Sequence, residues 1–261
     1  MTATSFAAPV RPSPLQALVW RHPEWWILGL SLAAWLGWLA TPGPNAHLCL
    51  TVGRLLLSPS AAARLASSGA AATLSREWAL MAAAMMLPLV AAPARSAAFR
   101  SLWSRRQTAA FEVVVGFAGV WMAAGLLLLP LVVMAAPVLD RHSVWAGPAA
   151  PAAAAAWRWT PLRAAATRSC HRRPPLAPRG WRAHGDCLRF GVAQGGACVA
   201  SCWILMLAPM VAPGGARLAP WLMPALLVER LLVRPPRIWV FASWGCASFG
   251  VALCAALGLH A

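Results

Sequence analysis

Cys198, Cys202 and Met206 recur at a four-residue interval in the run Gly195-Gly-Ala-Cys-Val-Ala-Ser-Cys-Trp-Ile-Leu-Met206. On a helix that interval stacks three sulfur side chains on one face. Thiolates and thioethers are soft donors that favour Cu(I), and thiolates also bind Zn(II). One turn apart, Cys198 and Cys202 can chelate one ion together. Met206 lies about 12 Å along the axis from Cys198 at about 1.5 Å per residue, so a straight helix cannot bring all three sulfurs to one ion. The stripe is then a thiol pair completed from another helix, a series of stations, or a packing seam of small residues and Met. Gly195 and Gly196 would let a neighbouring helix approach closely.

A second sulfur-bearing segment is Trp78-Ala-Leu-Met81-Ala-Ala-Ala-Met85-Met86-Leu-Pro88. Met81 and Met85 share a face, and Met86 lies about 100° round from Met85. Their thioethers are suited to complete a facing thiol pair, or simply to fill an apolar core. Cys170-His171 pairs a thiol with an imidazole in a basic stretch, where it is either a metal relay or a solvated dipeptide. His47 and Cys49 form a weaker analogue. Glu229 is a carboxylate within an apolar run, a costly placement that marks a functional group unless Arg230 beside it makes a snorkelling ion pair. Glu112 invites the same two readings, while Glu77 and Asp140 sit where apolar runs end and read as interfacial.

The elements that would position these groups are membrane helices. The 261 residues are 60% hydrophobic and 11% charged, the balance of an integral membrane protein. Apolar runs place seven spans at about 24–41, 77–94, 110–136, 144–160, 188–211, 217–233 and 238–258. The fold expected is an all-α polytopic transmembrane bundle, with six spans if the alanine-rich fourth is re-entrant. Residues 1–76 read as an N-terminal membrane helix with an outer loop. Residues 77–235 read as a metal-binding-type membrane domain, and 236–261 as a C-terminal membrane helix. The first apolar run offers a poor cut point, with Trp38 two residues before Ala40, and reads as an uncleaved helix.

The net charge of +16 comes from arginines in the gaps between spans. With the N-terminus inside, 17 of the 22 arginines fall on the inner side or its flanks, as the positive-inside rule requires. That arrangement supports a multi-pass protein of the bacterial inner membrane with a cytoplasmic N-terminus. It argues against nucleic acid as a partner, since no basic stretch interleaves with aromatics in a soluble segment. Seven cysteines, an odd number mostly within apolar runs, are not a secreted disulfide framework. No Ser-His-Asp set, HExxH motif or phosphate-binding glycine loop points to an enzyme.

Taken in order, several motifs resemble those of the DUF2182 family of bacterial integral membrane proteins, described as metal-binding, some of whose members are labelled copper chaperones. The pattern W-x-x-M-x-x-A-M-M-x-P is complete at Trp78, Met81, Ala84, Met85, Met86 and Pro88. A G-[YF]-x-x-V-W element stands at Gly116, Phe117, Val120 and Trp121. The family's T-P-L-K loop motif looks like Thr160-Pro161-Leu162-Arg163 through Cys170-His171. Its cysteine cluster looks like Cys198 through Cys202, Trp203 and Met206, and its acidic-basic pair matches Glu229-Arg230. The likeness covers about residues 75–235. Ala166 and Ser201 stand where the family carries cysteines, His171 where it carries an Arg, and Arg158 where it carries a Gln.

Softness of the donors and the resemblance together imply a membrane protein that binds Cu(I), with zinc open, for handling or delivery to a metal-accepting protein. Cys198 and Cys202 are the expected primary ligands. Met81, Met85, Met86 and Met206 are auxiliary thioethers, with Cys170, His171 and Glu229 as further contributors. A metal-ion permease, or a structural or assembly subunit without metal, are the rival readings.

Overall fold

A computed structural model describes residues 21–40, 70–141, 156–157 and 160–211, with 219–220, 222–223, 226–228 and 230. Among them every regular element is helical. Helix α1 is Trp25–Ala40, α2 is Ala70–Arg100 and α3 is Arg106–Arg141, the last reached through a single 3₁₀ turn at Trp103–Arg105. Helix α4 is Pro161–Cys170 and α5 is Gly180–Val211. Three helical stretches are long and apolar enough to cross a membrane: Ala72–Arg100 in α2, Trp103–Leu131 across the 3₁₀ turn and α3, and Gly180–Leu207 in α5. These correspond to the second, third and fifth expected spans, but the helices run past the apolar cores. Helix α5 begins at Gly180 rather than 188, its first turns held by tertiary contacts such as His184 on Glu112 rather than by helix propensity. Helix α1 is apolar but only 16 residues long. Most of 144–160, part of 217–233 and all of 238–258 lie outside the described residues.

Helices α1 and α2 form an antiparallel pair. Ser31 Oγ donates to the Ala84 carbonyl at 2.8 Å, and Trp38 Nε1 donates to Glu77 Oε2 at 3.1 Å. The Ser31 bond follows from the sequence of α2. Pro88 has no N–H, so the carbonyl four residues before it, that of Ala84, loses its helical donor. A hydroxyl from the next helix replaces it, as apolar surroundings require. Glu77, expected at the interface, is instead buried with Trp38 as its donor.

The closest packing joins α3 to α5, which run parallel. A Cβ on Gly191 would strike the Val113 backbone, and one on Gly195 would meet Val120 Cβ at 2.9 Å and the Phe117 carbonyl at 3.0 Å. Glycines four apart therefore let the two backbones touch. Gly196, expected to share that role, faces open space. Trp78 ties α2 to α3, its Nε1 donating to the Trp121 carbonyl at 2.9 Å.

Between α3 and α5, the described residues from Trp157 to Cys170 run antiparallel to α5. The Trp157 ring stacks edge-on against Trp203, Arg163 Nε reaches the Ser201 carbonyl at 3.3 Å, and Cys170 ends beside the Cys198–Cys202 turn. Thr160 caps α4 by accepting from Arg163 N at 3.3 Å, with Pro161 at the first helical position. Residues 161–187, expected as one inner loop, thus contain a packed helix and the first turns of α5. The prolines at 174, 175 and 178 do keep the two apart.

Candidate metal centre

Helix α5 presents Cys198 and Cys202 to the interior, where both are buried and neither is in a disulfide. Their side chains lie on the same side of α5, one helical turn apart. The third sulfur comes from α2, with the Cys198 thiol 3.7 Å from Met86 Sδ. Two metal–sulfur bonds of about 2.3 Å meeting at about 110° span about 3.8 Å. The thiol–thioether pair therefore fits round one soft ion without moving a helix. Met86 sits on the turn that contains Pro88, where the Ser31 bond to Ala84 holds the backbone.

A guanidinium closes the other side of the thiol pair. Arg230 donates to Cys202 Sγ at 3.3 Å and to the Cys198 carbonyl at 3.5 Å, and it also contacts Cys170 Sγ and Ser201 Oγ. The Cys170 thiol donates in turn to the Ala166 carbonyl at 3.3 Å. Ser201 Oγ bonds the carbonyls of Ala197 and Cys198 at 2.8 and 2.9 Å and lies 3.6 Å from Cys202 Sγ.

Beside this cluster is a cavity of about 110 Å³. Cys198, Cys170, His171, Arg173, Gln194 and Arg230 supply its polar lining, and Leu89, Pro93 and Phe117 its apolar wall. His171 ends α4 at the mouth of the cluster. Its imidazole is pushed below the usual histidine value, first by burial and then by the charges of Arg173 and Arg230. A neutral imidazole keeps a lone pair available to a metal.

A family model described as a copper chaperone, PpoB2, matches residues 76–254. The chain belongs to the PpoB2 copper chaperone family. No curated protein and no solved structure matches it.

In this PpoB2 member, the matched stretch contains every sulfur of the candidate centre. Cys198 and Cys202 stand together as the spacing predicts. Of the three α2 thioethers it is Met86 that meets them. Met85, about 100° round the helix, and Met81, about 140° round and more than a turn away, point to other sectors. Both are fully buried in the apolar core. Met206 is also buried, about 6 Å along the axis beyond Cys202. Cys170 is drawn in against Arg230, and His171 lines the cavity. Among the described residues no three His, Cys, Asp or Glu side chains gather closely enough to hold one ion, so a three-donor set here needs the Met86 thioether. Glu229 lies outside the described residues.

Arg230 was read in the sequence as a local partner of Glu229. The structure turns it into the sulfur cluster, a long-range contact that spacing alone does not signal. Gln194 carries no sequence signal for the site, and Arg163 and Ser201, marked in the sequence only through the family resemblance, are found at it. A different group forms near the start of α3, where Glu112 pairs with Arg105 at 3.2 Å and with His184. That pairing ties the start of α3 to α5.

Proposed function

We propose that this protein is a multi-pass membrane copper chaperone that holds Cu(I) between the thiolates of Cys198 and Cys202, with the Met86 thioether as third donor. The observation that carries this reading is the 3.7 Å approach of the Cys198 thiol to Met86 Sδ, from a different helix, in a buried pocket of soft donors. The family supplies copper as the cargo. Cys170 and His171 line the cavity next to Cys198 and serve as the relay by which the ion enters or leaves. Binding replaces two thiol protons, so loading is coupled to proton release.

The bundle is proposed to have seven spans in the inner membrane, with the N-terminus and the basic connections on the cytoplasmic side. Exposed Leu126, Leu127 and Leu131 give α3 the outward face that lipid would cover. Residues 77–235 form the metal-binding unit, and the ion is passed to an accepting protein without catalysis. Zinc satisfies the same sulfur geometry and is the competing cargo.

Anaerobic Cu(I) titration of the detergent-purified protein tests the assignment. The wild-type chain should take up Cu(I), and Cys198→Ala with Cys202→Ala should lose that equivalent. An unchanged stoichiometry in the double variant would refute the ligands. Reconstitution into metal-free liposomes separates delivery from transport, because a chaperone binds copper without accumulating it inside.

A further inference from the structure

We propose that Arg230 sets the metal selectivity of the thiol pair, its fixed positive charge at contact distance disfavouring a divalent cation more than a monovalent one. This rests on the copper-binding reading above and goes beyond it, because the sulfur geometry alone accepts Cu(I) and Zn(II) alike. Arginine is always charged in proteins. Its guanidinium lies 3.3 Å from Cys202 Sγ, also bonds the Cys198 carbonyl, and contacts Ser201 Oγ. It is therefore part of the charge any bound ion meets.

The balance is simple. Metal plus two thiols gives a bis-thiolate complex and two released protons. With Cu(I) the complex carries one negative charge, opposite to that of Arg230. With Zn(II) the complex is neutral, and Arg230 gains no such attraction. Cys170 stays outside this count, since its thiol is a donor to the Ala166 carbonyl. The cavity beside the pair is lined by Arg173, His171 and Gln194 as well as Arg230, with no carboxylate among its described lining residues. A fixed positive charge at contact distance in a desolvated site therefore disfavours the divalent ion more than the monovalent one.

The test measures Cu(I) and Zn(II) affinities of the full-length protein in detergent, anaerobically, each against a competing chelator. Arg230→Gln should lower the Cu(I)-over-Zn(II) preference by at least about tenfold, a modest share of what one unit charge at contact distance is worth in a partly buried site. Arg230→Lys keeps the charge and should keep the preference. Ser201→Cys, with Arg230 intact, adds a third thiol beside the pair and should shift preference toward Zn(II). An unchanged ratio in Arg230→Gln, an equal loss for both metals, or a collapse of the preference in Arg230→Lys would each overturn the charge account. If Arg230→Gln does not purify folded, Ser201→Cys decides alone, and an unchanged ratio there overturns it. A wild-type chain that binds neither metal overturns the copper-binding reading instead.

Discussion

The Cys198 thiol lies 3.7 Å from Met86 Sδ, although 112 positions separate the two residues. That contact singles out one thioether among neighbours that the sequence presents as equivalent. Met86→Leu keeps nearly the same volume and removes the donor, so packing is little disturbed. Cu(I) affinity should fall by at least about tenfold, the scale of losing even a group that only supports a ligand. Met85→Leu, on a different sector of α2, should leave it unchanged. Competition titration of the two variants decides the matter, and equal losses would remove Met86 from the ligand set.

The seam between α3 and α5 yields a prediction about stability. A methyl on Gly191 meets the Val113 carbonyl, a backbone atom that cannot swing aside. Gly191→Ala should therefore destabilise the bundle by about 1–3 kcal/mol, the usual cost of overpacking. Gly196→Ala, where a methyl meets nothing within 4 Å, should be neutral or stabilising by up to about 1 kcal/mol, since Ala is the better helix former. Thermal unfolding in detergent reads both. A Gly191→Ala protein as stable as the parent would mean that the two helices are not held at contact distance.

Much of this was legible in the sequence, and the remainder was hidden for identifiable reasons. The thiol pair follows from the four-residue spacing of Cys198 and Cys202, and the cores of α2, α3 and α5 follow from apolar runs. Helix ends do not, because polar turns such as those after Gly180 stay helical where packing against a neighbouring helix holds them. Which methionine faces the thiols depends on the rotation of α2, fixed by Trp78 on the Trp121 carbonyl and by Ser31 on the carbonyl Pro88 frees. Neither bond is local. Cys170 reads as part of a solvated basic loop, yet it is buried because α4 packs along α5. Arg230 misleads for the opposite reason. An acidic neighbour at 229 offers an obvious local partner, while its contacts with described residues lie 28 to 60 positions away.

His171 provides a pH-dependent prediction. Burial disfavours its charged form, and Arg173 and Arg230 add repulsion, so its pKa falls below the ordinary 6.5. In the unfolded chain the same imidazole titrates near 6.5. Between those two values the unfolded state binds more proton than the folded one. Stability contributed by a neutral His171 is therefore complete above 6.5, declines as pH falls through that window, and levels off once the folded-state imidazole also protonates. A ¹³C-histidine NMR titration of the detergent-solubilised protein, assigned with His171→Gln, should give a midpoint below 6.5. Arg173→Gln should raise that midpoint, since it deletes one of the repelling charges. A His171 midpoint at or above 6.5 in the parent, or one indifferent to Arg173, would show that the imidazole is neither buried against the cluster nor sensed by its cations.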